Sequence, residues 1–137
     1  MNLGFLREIQ GFVGFTDEDA RPLRRLLEWL EPRLDGLTEA FYGALLRHPD
    51  ARQVFKDEAQ VERLKESLKR WAVKVCSGPY DEDYVQLRAR IGRIHLQIGL
   101  PQRYMLTGMC IIRQFLSDRN TTHPLFYPII RIPFQLI

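Results

Sequence analysis

Three histidines, two cysteines and a tyrosine-bearing central segment are the groups in this sequence whose types and settings suit chemistry. His48 precedes Pro49 at an expected helix end, and His123 lies in a proline-rich tail, so neither has an apolar stripe around it. His95 differs. It falls on the same 3.6-residue face as Tyr84, Leu87, Ile91, Ile94 and Ile98, so its imidazole is expected to point inward. A lone histidine on such a face is ordinarily a packed core residue. Here an aliphatic stripe suited to walling an apolar cofactor, a Gly99-Leu100-Pro101 corner just after the ring, and a distant Tyr42 on a central helix add weight to a ligand role beside that core reading. Cys76 and Cys110 are too few for a disulfide scaffold or a zinc cluster and read as two reduced, packed thiols. No glycine-rich phosphate loop is present.

The elements that must position these groups are helical nearly throughout. Leu3, Leu6, Ile9 and Val13 mark a short amphipathic segment over 3–14, weakened by Gly4, Gly11 and Gly14. The acids after Thr16 suit a helix start, and Pro22 is tolerated in a first turn, which predicts a regular helix from near Asp19 through Leu23, Leu26, Leu27 and Leu30. Pro32 restarts the chain, and Leu34, Leu37, Phe41, Ala44 and Leu45 form a second stripe, widened by Tyr42 and Leu46 into what a central helix needs. Val61, Leu64, Leu68, Trp71, Ala72 and Val75 then recur at three- and four-residue steps. Glu62, Lys65, Glu66, Lys69 and Arg70 fill a solvated face of that helix. Gly78-Pro79 ends it, and Asp81, Glu82 and Asp83 open the helix of His95, whose other face carries Gln86, Arg88, Arg90 and Arg93.

In the helix after Pro101, apolar residues cover more than half the circumference. Its Tyr104, Gly108, Ile111 and Phe115 edge is expected to pack on the His95 helix. Its Met105, Met109, Ile112 and Leu116 edge is left for other cover, either a second subunit or the apolar tail from Leu125 to Ile137 folded back over it. From Arg119 onward Pro124, Pro128 and Pro133 break the pattern, which divides the chain into a domain over 1–118 and an irregular apolar tail over 119–137. No strand alternation or repeat period is seen, and the fold class is all-α.

With 137 residues, 45% apolar and 27% charged, the chain is long enough for one packed domain. A net charge of +3 is too mild to argue for a nucleic-acid surface. No apolar run reaches the length of a membrane span, and Arg7 and Glu8 interrupt any signal-peptide core, so a soluble cytoplasmic protein is expected.

The segments FYGALLRHP, VERLKESLKRW and GPYDEDYVQLRARIGRIHLQIGLPQRYM resemble the haem domain of globin-coupled sensors, with the protoglobins a more distant match. The resemblance covers roughly residues 15–118. It implies a globin fold without its D helix, carrying an extra N-terminal segment, and haem b held through iron by one proximal histidine, His95. Neutral imidazole gives iron the Nε2 lone pair, with Nδ1–H expected on a carbonyl one turn earlier, near Ile91. The resemblance places a distal polar residue at Tyr42, with its hydroxyl toward the bound gas, and an apolar ceiling at Leu64 and Leu68. Trp71, Tyr84, Ile98 and Met105 complete the expected cofactor contacts. Lys65 and Lys69 lie on the polar face and are not expected to reach the iron. The function implied is a sensor of diatomic gases, O₂, CO or NO, that passes a change through the helices after His95. It is paired as a homodimer through the 102–118 helix, with no enzymatic activity of its own and an output transmitter outside this chain. A haem enzyme of the NO dioxygenase or peroxidase kind, and a haem-free helical interaction domain, are the alternatives. The tail does not match the family's terminal helix.

Overall fold

The computed structural model describes residues 2–117, which form seven α-helices, with no strand among them. Helix α1 (Leu3–Val13) is capped by Asn2, whose side chain accepts from the Phe5 amide at 3.0 Å, and it ends at Gly14, whose φ of 69° no β-carbon hinders. Helix α2 spans Asp17–Leu30. It begins two residues before the expected start because the Thr16 amide donates to the Asp19 carboxylate at 2.8 Å. Pro22 therefore lies in the second turn rather than the first. A short 3₁₀ turn, Glu31–Arg33, leads into α3 (Leu34–Leu46), and a single turn, α4 (Pro49–Arg52), follows.

Helix α5 (Glu58–Ser77) starts on Asp57, which accepts from the Gln60 amide at 2.7 Å. Helix α6 (Glu82–Gln97) starts on Asp81, which accepts from Tyr84 at 3.0 Å. Helix α7 is Gln102–Ser117. The proline-rich tail lies outside the described residues.

Helices α2, α3, α5 and α7 enclose the main core. Leu23, Leu26 and Leu30 of α2, Leu37 of α3, Ala72 and Val75 of α5, and Ile112 and Leu116 of α7 all meet there. Burial of each such leucine or isoleucine contributes roughly 1.5–3 kcal/mol. Ion pairs from Lys65 to Glu39 (2.7 Å) and from Lys69 to Asp35 (2.5 Å) tie the exposed edges of α3 and α5 together. A smaller cluster joins α1 to α6 through Leu6, Tyr84 and Val85.

Helix α7 departs from its expected packing. Its principal neighbour is α3, not α6. A β-carbon on Gly108 would stand 2.8 Å from the Phe41 ring, so the α7 backbone touches that ring directly. Ile112 is 1% exposed and Leu116 4%, so the edge expected to await a second subunit is filled by the chain's own core. The outward strip of α7 is mixed, with Leu106 at 59% exposure beside Thr107 and Cys110. Cys110 is thus an exposed thiol, and only Cys76 is packed.

Candidate functional site

A cavity of about 300 Å³ opens between α3, α5, α6 and α7. Phe41 and Tyr42 line it from α3, and Leu64, Ser67, Leu68, Arg70 and Trp71 from α5. Leu87, Arg90, Ile91, Ile94 and His95 line it from α6, and Met109 from α7. Its size and apolar walls with a few polar groups are those of a small-molecule or cofactor site.

His95 is brought to this wall by the end of α6. The amide of Leu100 donates to the His95 carbonyl at 3.1 Å, and the Gly99 amide donates to Leu96 at 3.1 Å. These are the two bonds of a helix terminus closed by a left-handed residue, here Gly99 with φ 66°. The residue that faces the cavity is therefore also an anchor of the corner leading to α7. Burial lowers the imidazole pKa, which favours the neutral ring with a free lone pair. Nδ1 is buried and has no hydrogen-bond partner among the described residues. The expected bond to a carbonyl near Ile91 is not formed.

Tyr42 is 7% exposed, and its ring packs edge-on to Phe41 and Phe55, with centroids 5.1 and 6.1 Å away. Burial pushes the phenol above its ordinary range, so the hydroxyl keeps its proton as a donor. It has no hydrogen-bond partner among the described residues, which leaves the donor available to a polar ligand. Lys65 and Lys69 are held in ion pairs with Glu39, Glu62, Asp35 and Glu66, away from any ligand role.

Of the expected contacts, Tyr42, Leu64, Leu68, Trp71 and His95 share the cavity. Tyr84, Ile98 and Met105 do not line it. Tyr84 turns the other way, into the cluster with Leu6 and Val85. Ile98 is 38% exposed at the end of α6, and Met109, one turn along α7, takes the place expected of Met105. Arg88, read as part of a solvated face, is 2% exposed. Its guanidinium carbon lies 5.3 Å from the centre of the Trp71 ring and 5.0 Å from that of Tyr84, and its nitrogens have no hydrogen-bond acceptor among the described residues. The single apolar stripe expected on α6 is thus divided between two neighbours along its length. Tyr84, Val85 and Arg88 enter the interior, and Leu87, Ile91, Ile94 and His95 face the cavity. Phe41, Arg70 and Arg90 were missed as wall residues because each belongs to a stripe with a sufficient other explanation, core for the first and solvent for the arginines.

No group of three or more metal-ligating side chains occurs among the described residues. A neutral imidazole beside an apolar cavity suits a metal that arrives already coordinated in a flat, largely apolar macrocycle and needs one protein ligand. These residues fit haem, which the fold implies. Of the residues lining the cavity, His95 carries the imidazole that would ligate its iron, and Leu64, Leu68, Ile91 and Met109 would bracket the ring.

The helical arrangement is an all-α globin fold, without strands among the described residues. The chain belongs to the Protoglobin family, whose pattern matches residues 5–124. It is 32% identical over 96 residues to the haem-based aerotactic transducer HemAT of Halobacterium salinarum, an alignment covering 69% of this chain and 20% of that protein. The chain thus spans about a fifth of the length of that relative. Among solved structures it is similar to the globin domain of the Geobacter sulfurreducens globin-coupled sensor, with 28% identity and a TM-score of 0.82 over 95% of this chain and 90% of the other. The globin domain of Escherichia coli DosC, at 21% identity and a TM-score of 0.76 over 95% and 93% of the two chains, shares the fold. Among the described residues no helix is long and apolar enough to cross a membrane.

Proposed function

We propose that this chain is the haem domain of a gas sensor, with His95 as the proximal ligand and Tyr42 as the distal hydrogen-bond donor. The observation that carries the reading is that one apolar cavity collects a neutral imidazole from α6 and an unengaged phenol from α3. The likeness to HemAT and to a globin-coupled sensor domain supports it. Haem b bound there supplies a ferrous centre able to take up O₂, CO or NO.

The residues divide the remaining work. Burial keeps His95 neutral and able to donate its lone pair. Tyr42 donates a hydrogen bond to a polar gas and discriminates it from a non-polar one. Leu64 and Leu68 keep water from the site. The His95 carbonyl holds the Gly99-Leu100 corner, so a displacement of the ring's helix is passed to the start of α7. Pairing of two copies through the outward strip of α7 belongs to the same reading, as does a cytoplasmic location. The role is binding and signalling rather than catalysis.

The test is an absorption spectrum of the purified protein supplied with haem. A Soret band that shifts on adding CO is expected, and it is lost or strongly altered in His95→Ala while helical circular dichroism persists. An unchanged ferrous spectrum in His95→Ala overturns the assignment of the ligand. A wild-type protein that takes up no haem overturns the reading.

A further inference from the structure

Among the described residues, Arg70 and Arg90 are the only charged ones lining the cavity, and no carboxylate lines it. Both are also exposed to solvent, so they stand where the cavity meets the surface, one on α5 and the other on α6. Lys65, Lys69 and Arg103 are each matched with an acidic partner, whereas neither Arg70 nor Arg90 has one among the described residues. Arg70 is partly pre-positioned, since its Nη2 donates to the Ser67 hydroxyl oxygen one turn earlier at 3.1 Å.

An apolar chamber with two unmatched guanidinium forks at its rim is complementary to an apolar body bearing two anionic groups. Arginine presents parallel N–H donors that match a carboxylate oxygen for oxygen. We propose that Arg70 and Arg90 clamp the two propionate carboxylates of the haem, fixing which edge of the ring faces out. The inference rests on the haem reading above and deepens it by assigning the cofactor's orientation to two residues outside its apolar contacts.

The experiment compares haemin with its dimethyl ester, which keeps the ring and iron but removes both negative charges. Loss of each from the full chain to excess apomyoglobin is timed for wild type and for the double variant Arg70→Gln and Arg90→Gln, with circular dichroism confirming the fold. Two exposed charge-assisted contacts are expected to slow haemin loss about tenfold in the wild type, equivalent to about 1.4 kcal/mol. The double variant loses haemin about tenfold faster, loses the ester at the wild-type rate, and shows less dependence of haemin loss on salt. Haemin loss unchanged by the substitutions overturns the clamp while leaving the haem reading intact, and so does ester loss accelerated as much as haemin loss. A wild-type chain that takes up neither compound overturns both.

Discussion

The guanidinium of Arg88 and the indole of Trp71 are stacked, 5.3 Å from carbon to ring centre, and Trp71 is at the same time a wall of the cavity that His95 faces. A charge with no hydrogen-bond acceptor among the described residues is therefore buried directly behind the site. Desolvation lowers its pKa, and the ring faces of Trp71 and Tyr84 are the favourable surroundings that offset part of this cost.

Replacing Arg88 by Met keeps the volume and removes the buried charge, so stability is expected to be unchanged or to rise by about 1 kcal/mol. Arg88→Ala leaves a hole beneath Trp71 and is expected to cost about 2–3 kcal/mol. Urea unfolding of the two variants distinguishes charge from packing. A Met variant as damaged as the Ala variant means that the charge itself holds the site together.

Tyr42→Phe removes the one phenol that lines the cavity and leaves its ring packing on Phe41 and Phe55 in place. A hydrogen bond to a partly charged ligand contributes about 1.5–3 kcal/mol. O₂ is therefore expected to leave the haem-loaded variant roughly 10- to 150-fold faster by stopped-flow. CO dissociation is expected to change far less. Equal acceleration of both gases shows that Tyr42 shapes the pocket instead of bonding the ligand.

Gly108→Ala tests the contact between α3 and α7. The added carbon stands 2.8 Å from the edge of the Phe41 ring, and Phe41 also lines the cavity. The ring is expected to yield into the cavity, with a loss of about 1–3 kcal/mol in stability and weaker haem uptake. Wild-type thermal stability together with wild-type haem affinity contradicts this close approach.

The thiols give a pH dependence with a definite sign. Burial pushes the Cys76 thiol up to about 12, and it raises Tyr80 and Tyr84 as well. Groups raised in the folded chain ionise first in the unfolded one, so their contribution is complete below about pH 8.5 and is lost as pH rises toward 12. Urea midpoints are expected to fall steadily across that window, less steeply in Cys76→Ala. In the native protein one thiol, Cys110, reacts with a thiol reagent, and Cys76 reacts only in denaturant.

Much of this arrangement was legible in the residues. The stripes of α3 and α5 gave Tyr42, Leu64, Leu68 and Trp71 their common setting, and the Gly99-Leu100-Pro101 corner closes α6 as its residue types require. What periodicity does not reveal is how a helix is rotated against several neighbours at once. Residues 84, 88, 91 and 95 lie near one line on α6, yet α1 claims the first part of it and the cavity the last. Arg88 looks solvent-facing by type, and only the two rings beside it accept it inside. Met109 replaces Met105 because the meeting of Gly108 with Phe41 fixes which turn of α7 reaches the cavity. For the same reason Ile112 is an interior residue, not a free edge.

Helix α6 is secured unevenly. Its first turns are pinned through Tyr84, Val85, and the Leu3 amide donating to Glu82 at 3.2 Å, whereas Ile94, Leu96 and Ile98 near its far end are 42%, 80% and 38% exposed. Mechanically this is a cantilever, clamped at the root and loaded near the tip, where His95 stands. On the proposed reading, a push at the ring would bend the beam about its root and move the corner that begins α7, whose Leu100 amide donates to the His95 carbonyl. Thermally, the same lever is expected to fray from its tip, with amide exchange at 94–98 faster than at 84–88 and slowed there when a ligand props the end.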